Sequence, residues 1–296
     1  MYVVAGASLI LGASPLTLRI TAALFSLAEV AAGGALARQL FGRKIGLIAA
    51  AGLASSLWLT ALGRTGFRAI TLPTVECLGL AILWHATQTG RKREYAIAGA
   101  VLGLDLYTYL SARFLPIALL GFVATVAIFY RSWLAKRLAG LVVAGVSAFF
   151  VCVPLGIYGL RHPEIFLGRP DQVALPGGSE FLPSLADSSL RTLGMITFRG
   201  DPTWRHNLSG APVLDPLNAI LFVVGLAIAL RRRGPAMLYV LIVLLVMLVP
   251  GMLSIDSPHF LRTDGAVGAI YIVWAVGVAW ASTWISKVAR LSVSRH

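Results

Sequence analysis

The residues best suited to chemistry are arginines in short polar stretches beside tyrosines, histidines and acids. Arg64 and Arg68 stand four apart in GRTGFR, and Arg113 closes a stretch that carries Asp105, Tyr107 and Tyr109. The segment SIDSPHFLRTD packs Asp256, His259, Arg262 and Asp264 together. A guanidinium presents a planar fork of donors that matches a phosphate bidentately, so arginines gathered from several stretches suit an anion. The competing reading is anchoring, in which long side chains reach from apolar segments to an interface. Convergence of these three stretches and the long polar segment 161–212 on one face favours the anion.

The longest polar segment runs from Arg161 to Pro212. It carries Glu164, Asp171, Glu180, Asp187 and Asp201 among Arg161, Arg169, Arg191, Arg199 and Arg205, with His162 and His206. Loops of this length are commonly functional or hold elements of their own. The first half, RPDQVALPGGSEFLPS, predicts irregular backbone around Pro-Gly-Gly. The second, SLRTLGMITFRGDPTWRHN, spaces apolar residues nearly as a helix does and predicts an amphipathic surface helix, with a solvated tether as the alternative. Other motifs fail. There is no P-loop, dinucleotide glycine pattern, HExxH or paired Cys-x-x-Cys, so no metal site or cofactor is expected. Cys77 and Cys152 sit in apolar runs and read as small hydrophobes. The sequon Asn207-Leu208-Ser209 is a weak three-residue match.

The elements that position these residues follow from composition. The 296 residues are 58% apolar and 12% charged, with mean hydropathy +0.83. A soluble domain carries about a quarter charged residues, so the bilayer is the expected solvent, and disorder or a disulfide scaffold is excluded. Crossing a ~30 Å hydrocarbon core takes about 20 apolar residues. That rule predicts nine helical spans, near 16–37, 45–62, 69–88, 94–110, 114–130, 138–160, 214–230, 236–253 and 265–286. No alternating strand pattern argues for a barrel, and segment 2–12 is too short to cross. The expected fold class is all-α: a single integral-membrane domain with a first helical block at 1–160, an external loop at 161–212 and three last spans in 213–296.

The net charge of +13 would suggest nucleic acid in a soluble protein. Here its placement speaks for topology. Arg38, Arg43 and Lys44, then Arg91, Lys92 and Arg93, then Arg131, Lys136 and Arg137, then Arg231, Arg232 and Arg233, then Lys287, Arg290 and Arg295 occupy every second loop with one acid, Glu94. This is the positive-inside pattern of a bacterial-type plasma membrane protein, with the C-terminus cytoplasmic and anionic lipid as a partner. It puts the start of the first span outside, which favours a missing upstream helix over a crossing by segment 2–12. Within the spans, Glu29 and Glu76 are costly and are expected to face a cavity or a partner, or to be protonated between helices. Asp105 and Arg113, eight apart on a continuing helix, would face one outer cleft.

The run SSLWLTALGRTGFRAITLPTVECLGLAILWHATQTGRKREYAIAGAVLGLDLYTYLSARFLPIALL resembles prokaryotic relatives of protein O-mannosyltransferases and lipid A aminoarabinose transferases. These are membrane glycosyltransferases of the GT-C fold. The resemblance continues in HPEIFLGRPDQV, FRGDPTWRHNLSGAPVLDPL and LVPGMLSIDSPHFLRTDGA, and extends from Ala7 to Val278. It implies transfer of a sugar from a polyprenyl-phosphate donor to an acceptor at the outer membrane face. It also implies that the family's catalytic acid lies on a loop upstream of Tyr2, so that this chain lacks its usual base and is weak or inactive as written. Asp105, Asp201 and Asp256 are the substitutes nearest the cleft. The expected substrate contacts are Arg64, Arg68, Tyr107, Tyr109, Arg113, His206, His259 and Arg262. The rival readings are a transporter or lipid flippase, suggested by Glu29, and a non-catalytic remnant.

Overall fold

The computed structural model of the protein describes residues 2–293, with side chains except at positions 2, 165, 167, 169–171 and 288–293. Arg295 therefore lies outside the described residues, as do the side chains of Arg169, Asp171 and Arg290. Fourteen α-helices follow in order: α1 (Tyr2–Leu11), α2 (Pro15–Phe41), α3 (Arg43–Ala54), α4 (Leu57–Thr65), α5 (Thr71–Thr89), α6 (Lys92–Asp105) and α7 (Leu115–Phe129). Then come α8 (Arg131–Ala135), α9 (Leu138–Arg161), α10 (Pro163–Val173), α11 (Phe181–Gly194), α12 (Pro216–Arg231), α13 (Pro235–Met252) and α14 (Val267–Val293). Among the described residues there is no strand, only an isolated antiparallel bridge between Ala174 and Ser254.

The helix boundaries have local causes. Ser14 caps α2 by accepting from Thr17 N at 3.2 Å, with Pro15 in the first turn. Asp215 caps α12 through Leu217 N and Asn218 N, both at 3.1 Å, followed by Pro216. Gly90 ends α5 at φ +73° and Gly66 ends α4 at φ +78°, a left-handed conformation that costs glycine little.

Among the described residues six helices are long and apolar enough to cross a membrane: Pro15–Phe41, Arg68–Thr89, Leu110–Phe129, Leu138–Arg161, Pro235–Met252 and Asp264–Lys287. A seventh span forms if α3 and α4, bent by 53° at the intervening break, cross together. The other two expected spans are the 14-residue α6 and the 16-residue α12. At 1.5 Å per residue these fall short of the hydrocarbon thickness. The result is a polytopic integral membrane protein whose span number by length is six or seven, against the nine expected.

The helices pack in pairs: α2 on α3 and α5, α5 on α6, α6 on α9, α12 on α14, α14 on α3, and α13 on α7 and α11. Close approach rests on small residues. A Cβ on Gly225 would lie 2.0 Å from Val273 O, and one on Gly277 would lie 1.9 Å from Leu221 O. Outward residues such as Leu9, Leu120 and Phe150 are exposed, as lipid contact requires.

The polar segment after α9 differs from expectation. The stretch around Pro-Gly-Gly is irregular as expected, but α10, started at Pro163, runs through Val173 into the half expected to be irregular. Its second helix, α11, lies earlier than the apolar spacing suggested and ends at Gly194; turns follow as far as α12. The segment is held down rather than tethered. Ser188 Oγ donates to Ser254 O at 3.1 Å, Thr192 Oγ1 and Ser257 Oγ share a hydrogen bond at 2.7 Å, and Leu175 N donates to Leu253 O at 3.2 Å.

Candidate functional site

Four irregular pieces surround one cavity of about 670 Å³, a size within the range of small-molecule sites. They are the 3₁₀ turn Arg68–Ile70, the 3₁₀ turn Leu110–Phe114, the segment around His206, and the stretch from Pro250 to Arg262. Phe67, Phe114, Val173, Leu253 and Leu261 supply apolar wall. The polar wall comes from Arg68, Tyr109, Arg113, Arg205, His206, His259 and Arg262. The pieces lie between helices or at their ends, and this brings the side chains together: no single helix face could present residues so far apart in sequence.

The arginines are held in different ways. Arg262 Nη2 donates to Asp256 Oδ2 at 3.2 Å, while its Nη1 is buried with no partner. Arg113 Nη1 donates to Phe166 O at 3.1 Å, and its guanidinium lies 3.7 Å from the Phe166 ring centroid. Arg68 lies over the Tyr109 ring at 5.5 Å, a longer cation–π contact. Arg205 is exposed at the rim. The cavity thus has four fixed positive charges with donor capacity in hand.

Asp201 holds the two histidines of the cavity. Oδ1 accepts from Thr203 N at 2.7 Å, and Oδ2 accepts from Phe260 N at 2.9 Å and lies 3.0 Å from His206 Nδ1. Burial works against its charge, yet the His206 contact and the backbone donors outweigh it and hold Asp201 below the usual carboxylate range. The His259 ring lies 4.8 Å from that of His206. Burial, then the Arg262 charge, lower His259 to about 4, so it is neutral at physiological pH. Ligand atoms of Asp201, His206 and His259 lie within 4.8 Å of one another, the one His/Cys/Asp/Glu group among the described residues able to share a cation. Sequence spacing gave no sign of it, because His259 reaches the other two only through the fold.

Six of the eight expected substrate contacts line this cavity: Arg68, Tyr109, Arg113, His206, His259 and Arg262. Arg64 and Tyr107 do not. Arg64 ends α4 on the far side of the left-handed Gly66, so the i,i+4 relation to Arg68 is broken. Tyr107 turns outward, and its hydroxyl donates to Val151 O at 2.7 Å. The expected Asp105–Arg113 pairing on one helix face also fails, because α6 stops at Asp105, where Thr108 N bonds back to Asp105 O at 2.9 Å. Asp105 is fully buried, Asp201 already has three donors and Asp256 is exposed beside Arg262, so none of these substitutes presents a free carboxylate to the cavity. The sequon fails as well: Asn207 is buried, with Nδ2 donating to Ala211 O at 2.6 Å and Asp201 O at 3.1 Å.

The solved structures similar to this chain share its architecture at low identity. ArnT from Cupriavidus metallidurans in the apo state superposes with TM-score 0.63 at 18% identity, covering 96% of this chain and 50% of ArnT. The oligosaccharyltransferase AglB from Archaeoglobus fulgidus, in complex with an inhibitory peptide and a dolichol-phosphate, gives TM-score 0.56 at 16% identity over 98% of this chain and 43% of AglB. The same oligosaccharyltransferase in complex with Zn and sulfate gives 0.57 at 15% identity, over 99% and 42%. The chain therefore spans about half the length of these structures or less, and at such identities they establish the GT-C-like fold alone. No curated protein sequence matches the chain. The family described as dolichyl-phosphate-mannose-protein mannosyltransferase matches residues 1–158, more than half of the sequence. The chain belongs to the dolichyl-phosphate-mannose-protein mannosyltransferase family.

Proposed function

We propose that the cavity binds a polyprenyl-phosphate-linked sugar at the outer membrane face, and that the protein takes part in transferring that sugar to an acceptor. The observation that carries this reading is Arg262, whose Nη1 is buried without a partner in a cavity that Arg68, Arg113 and Arg205 also line. A buried donor without an acceptor is costly, and a phosphate oxygen removes that cost. Apolar wall from Phe114, Leu253 and Leu261 suits the first isoprene units, and Tyr109, His206 and His259 offer hydrogen bonds to a sugar. Arginines around the phosphate would also stabilise charge developing on it as it leaves. Family membership and the dolichol-phosphate complex of AglB support the donor class. The outward orientation and cytoplasmic C-terminus rest on the alternating basic loops.

The test is binding of a polyprenyl phosphate to the full chain in detergent, followed by calorimetry. Saturable binding that weakens about tenfold or more in Arg262→Ala and Arg113→Ala is expected, since hydrogen bonds to charged groups are worth about 1.5–3 kcal/mol. Unchanged affinity in both variants would make these residues anchors and place the donor elsewhere.

A further inference from the structure

Four buried carboxyls lie within electrostatic reach of one another with no cationic partner. Glu29 on α2, Glu76 on α5, Asp105 at the end of α6 and Asp264 just before α14 are each at most 1% exposed. Both oxygens of Glu76, Oδ2 of Asp105 and Oδ2 of Asp264 have no hydrogen-bond donor, Glu29 has only the weak thiol donor of Cys77, and no ion pair among the described residues includes any of the four. Room has been kept for them. A Cβ on Gly265 would lie 2.6 Å from Glu76 Oε2, and one on Gly268 would lie 3.4 Å from Glu29 Oε1. Unpaired buried carboxyls are costly and in membrane proteins usually serve proton or ion movement. Their ligand atoms do not converge as those of Asp201, His206 and His259 do, which disfavours a shared cation.

The quartet touches the cavity at one point. Ser111 lines the cavity, and its Oγ donates to Asp264 Oδ1 at 3.3 Å. Asp105 and Glu76 lie within electrostatic reach of Asp264, and Glu29 within reach of both Glu76 and Asp264. On its own stretch the nearest charged or titratable groups are Arg262, held by Asp256, and His259, held beside Asp201.

We propose that Ser111 and Asp264 form the proton-accepting pair of the cavity: Ser111 meets the acceptor hydroxyl and Asp264 receives the proton through it. This rests on the donor-binding reading above. In the transfer step the acceptor oxygen forms a bond to the sugar carbon, and the bond from that carbon to the phosphate oxygen breaks. The leaving phosphate takes the electron pair. The acceptor proton passes to Ser111 Oγ as the Ser111 proton moves to Asp264 Oδ1, so the serine ends neutral and the carboxylate is protonated. One bridging hydroxyl is equivalent to the single bridging water through which a general base can act. Asp264 takes the proton in its carboxylate form, to which the Ser111 hydroxyl donates.

Infrared pH-difference spectroscopy of the full chain in lipid tests this without requiring turnover. A carboxyl C=O band that titrates with pH should disappear in Asp264→Asn, persist in Glu29→Gln and shift in Ser111→Ala, with recovery in Ser111→Thr. With a polyprenyl-phosphate hexose as donor, release of hexose to water should fall about 100-fold in Asp264→Asn and Ser111→Ala, while polyprenyl phosphate binding stays unchanged. A titrating band unaffected by Asp264→Asn and Ser111→Ala, or turnover unaffected by both, overturns the inference. Failure of the unmodified chain to bind polyprenyl phosphate overturns the donor reading instead, and the spectra still decide on the pair.

Discussion

At the scale of single residues, what distinguishes the arginines is whether their donors are already used. Arg262 and Arg113 face the cavity and Arg64 does not, so polyprenyl phosphate affinity should be insensitive to Arg64→Ala. Arg262→Lys keeps the charge but loses the planar fork, and a loss intermediate between wild type and Arg262→Ala is expected by calorimetry. His259 gives a separate pH signature. Its ring is held down to about 4, from 6.5, by burial and then by Arg262. Between those values the unfolded chain takes up a proton that the folded protein refuses. Stability therefore falls as pH drops from about 6.5 to about 4, by up to about 3 kcal/mol. Melting temperature measured in a chelator at pH 7 and pH 5 should show this loss, and His259→Gln should lack it. The types of these residues were legible in the sequence, and six of eight expected contacts meet in the cavity. Whether a donor is spare was not, because it depends on partners such as Asp256 and Phe166 that only packing supplies.

At the scale of elements, helix ends were the readable feature and helix breaks the unreadable one. Ser14-Pro15 and Asp215-Pro216 mark their helices in plain sequence. By contrast, the stop at Asp105 hangs on a local Thr108 bond inside an apolar run, and it defeats any argument from i+8 spacing. The α12–α14 contact makes a direct prediction. Gly225→Ala or Gly277→Ala would drive a methyl against a carbonyl about 2 Å away. Overpacking typically costs about 1–3 kcal/mol, so each variant should melt earlier than wild type, while Gly145→Ala, with open space around it, should not.

At the scale of the whole molecule, the prediction is topological. Cysteines placed at Ser179, in the segment between α10 and α11, and at Arg232, between α12 and α13, are both exposed. An impermeant maleimide applied to oriented vesicles should label them from opposite sides, the first from outside. Labelling of both from one side would overturn the positive-inside assignment. The sequence by itself determined the bilayer as solvent, the all-helical class and the gathering of basic residues in alternate loops. Those properties depend on composition and short-range periodicity, which a chain carries before it folds. Of the nine spans it set out, six or seven among the described residues pass by length; α12 is shorter, and the labelling at Arg232 tests its crossing. Only the tertiary structure decided that Asp201, His206 and His259 share one wall, that Arg262 keeps a free donor, and that Ser111 reaches Asp264. Contacts between residues up to 153 positions apart, as Ser111 and Asp264 are, leave no spacing to read.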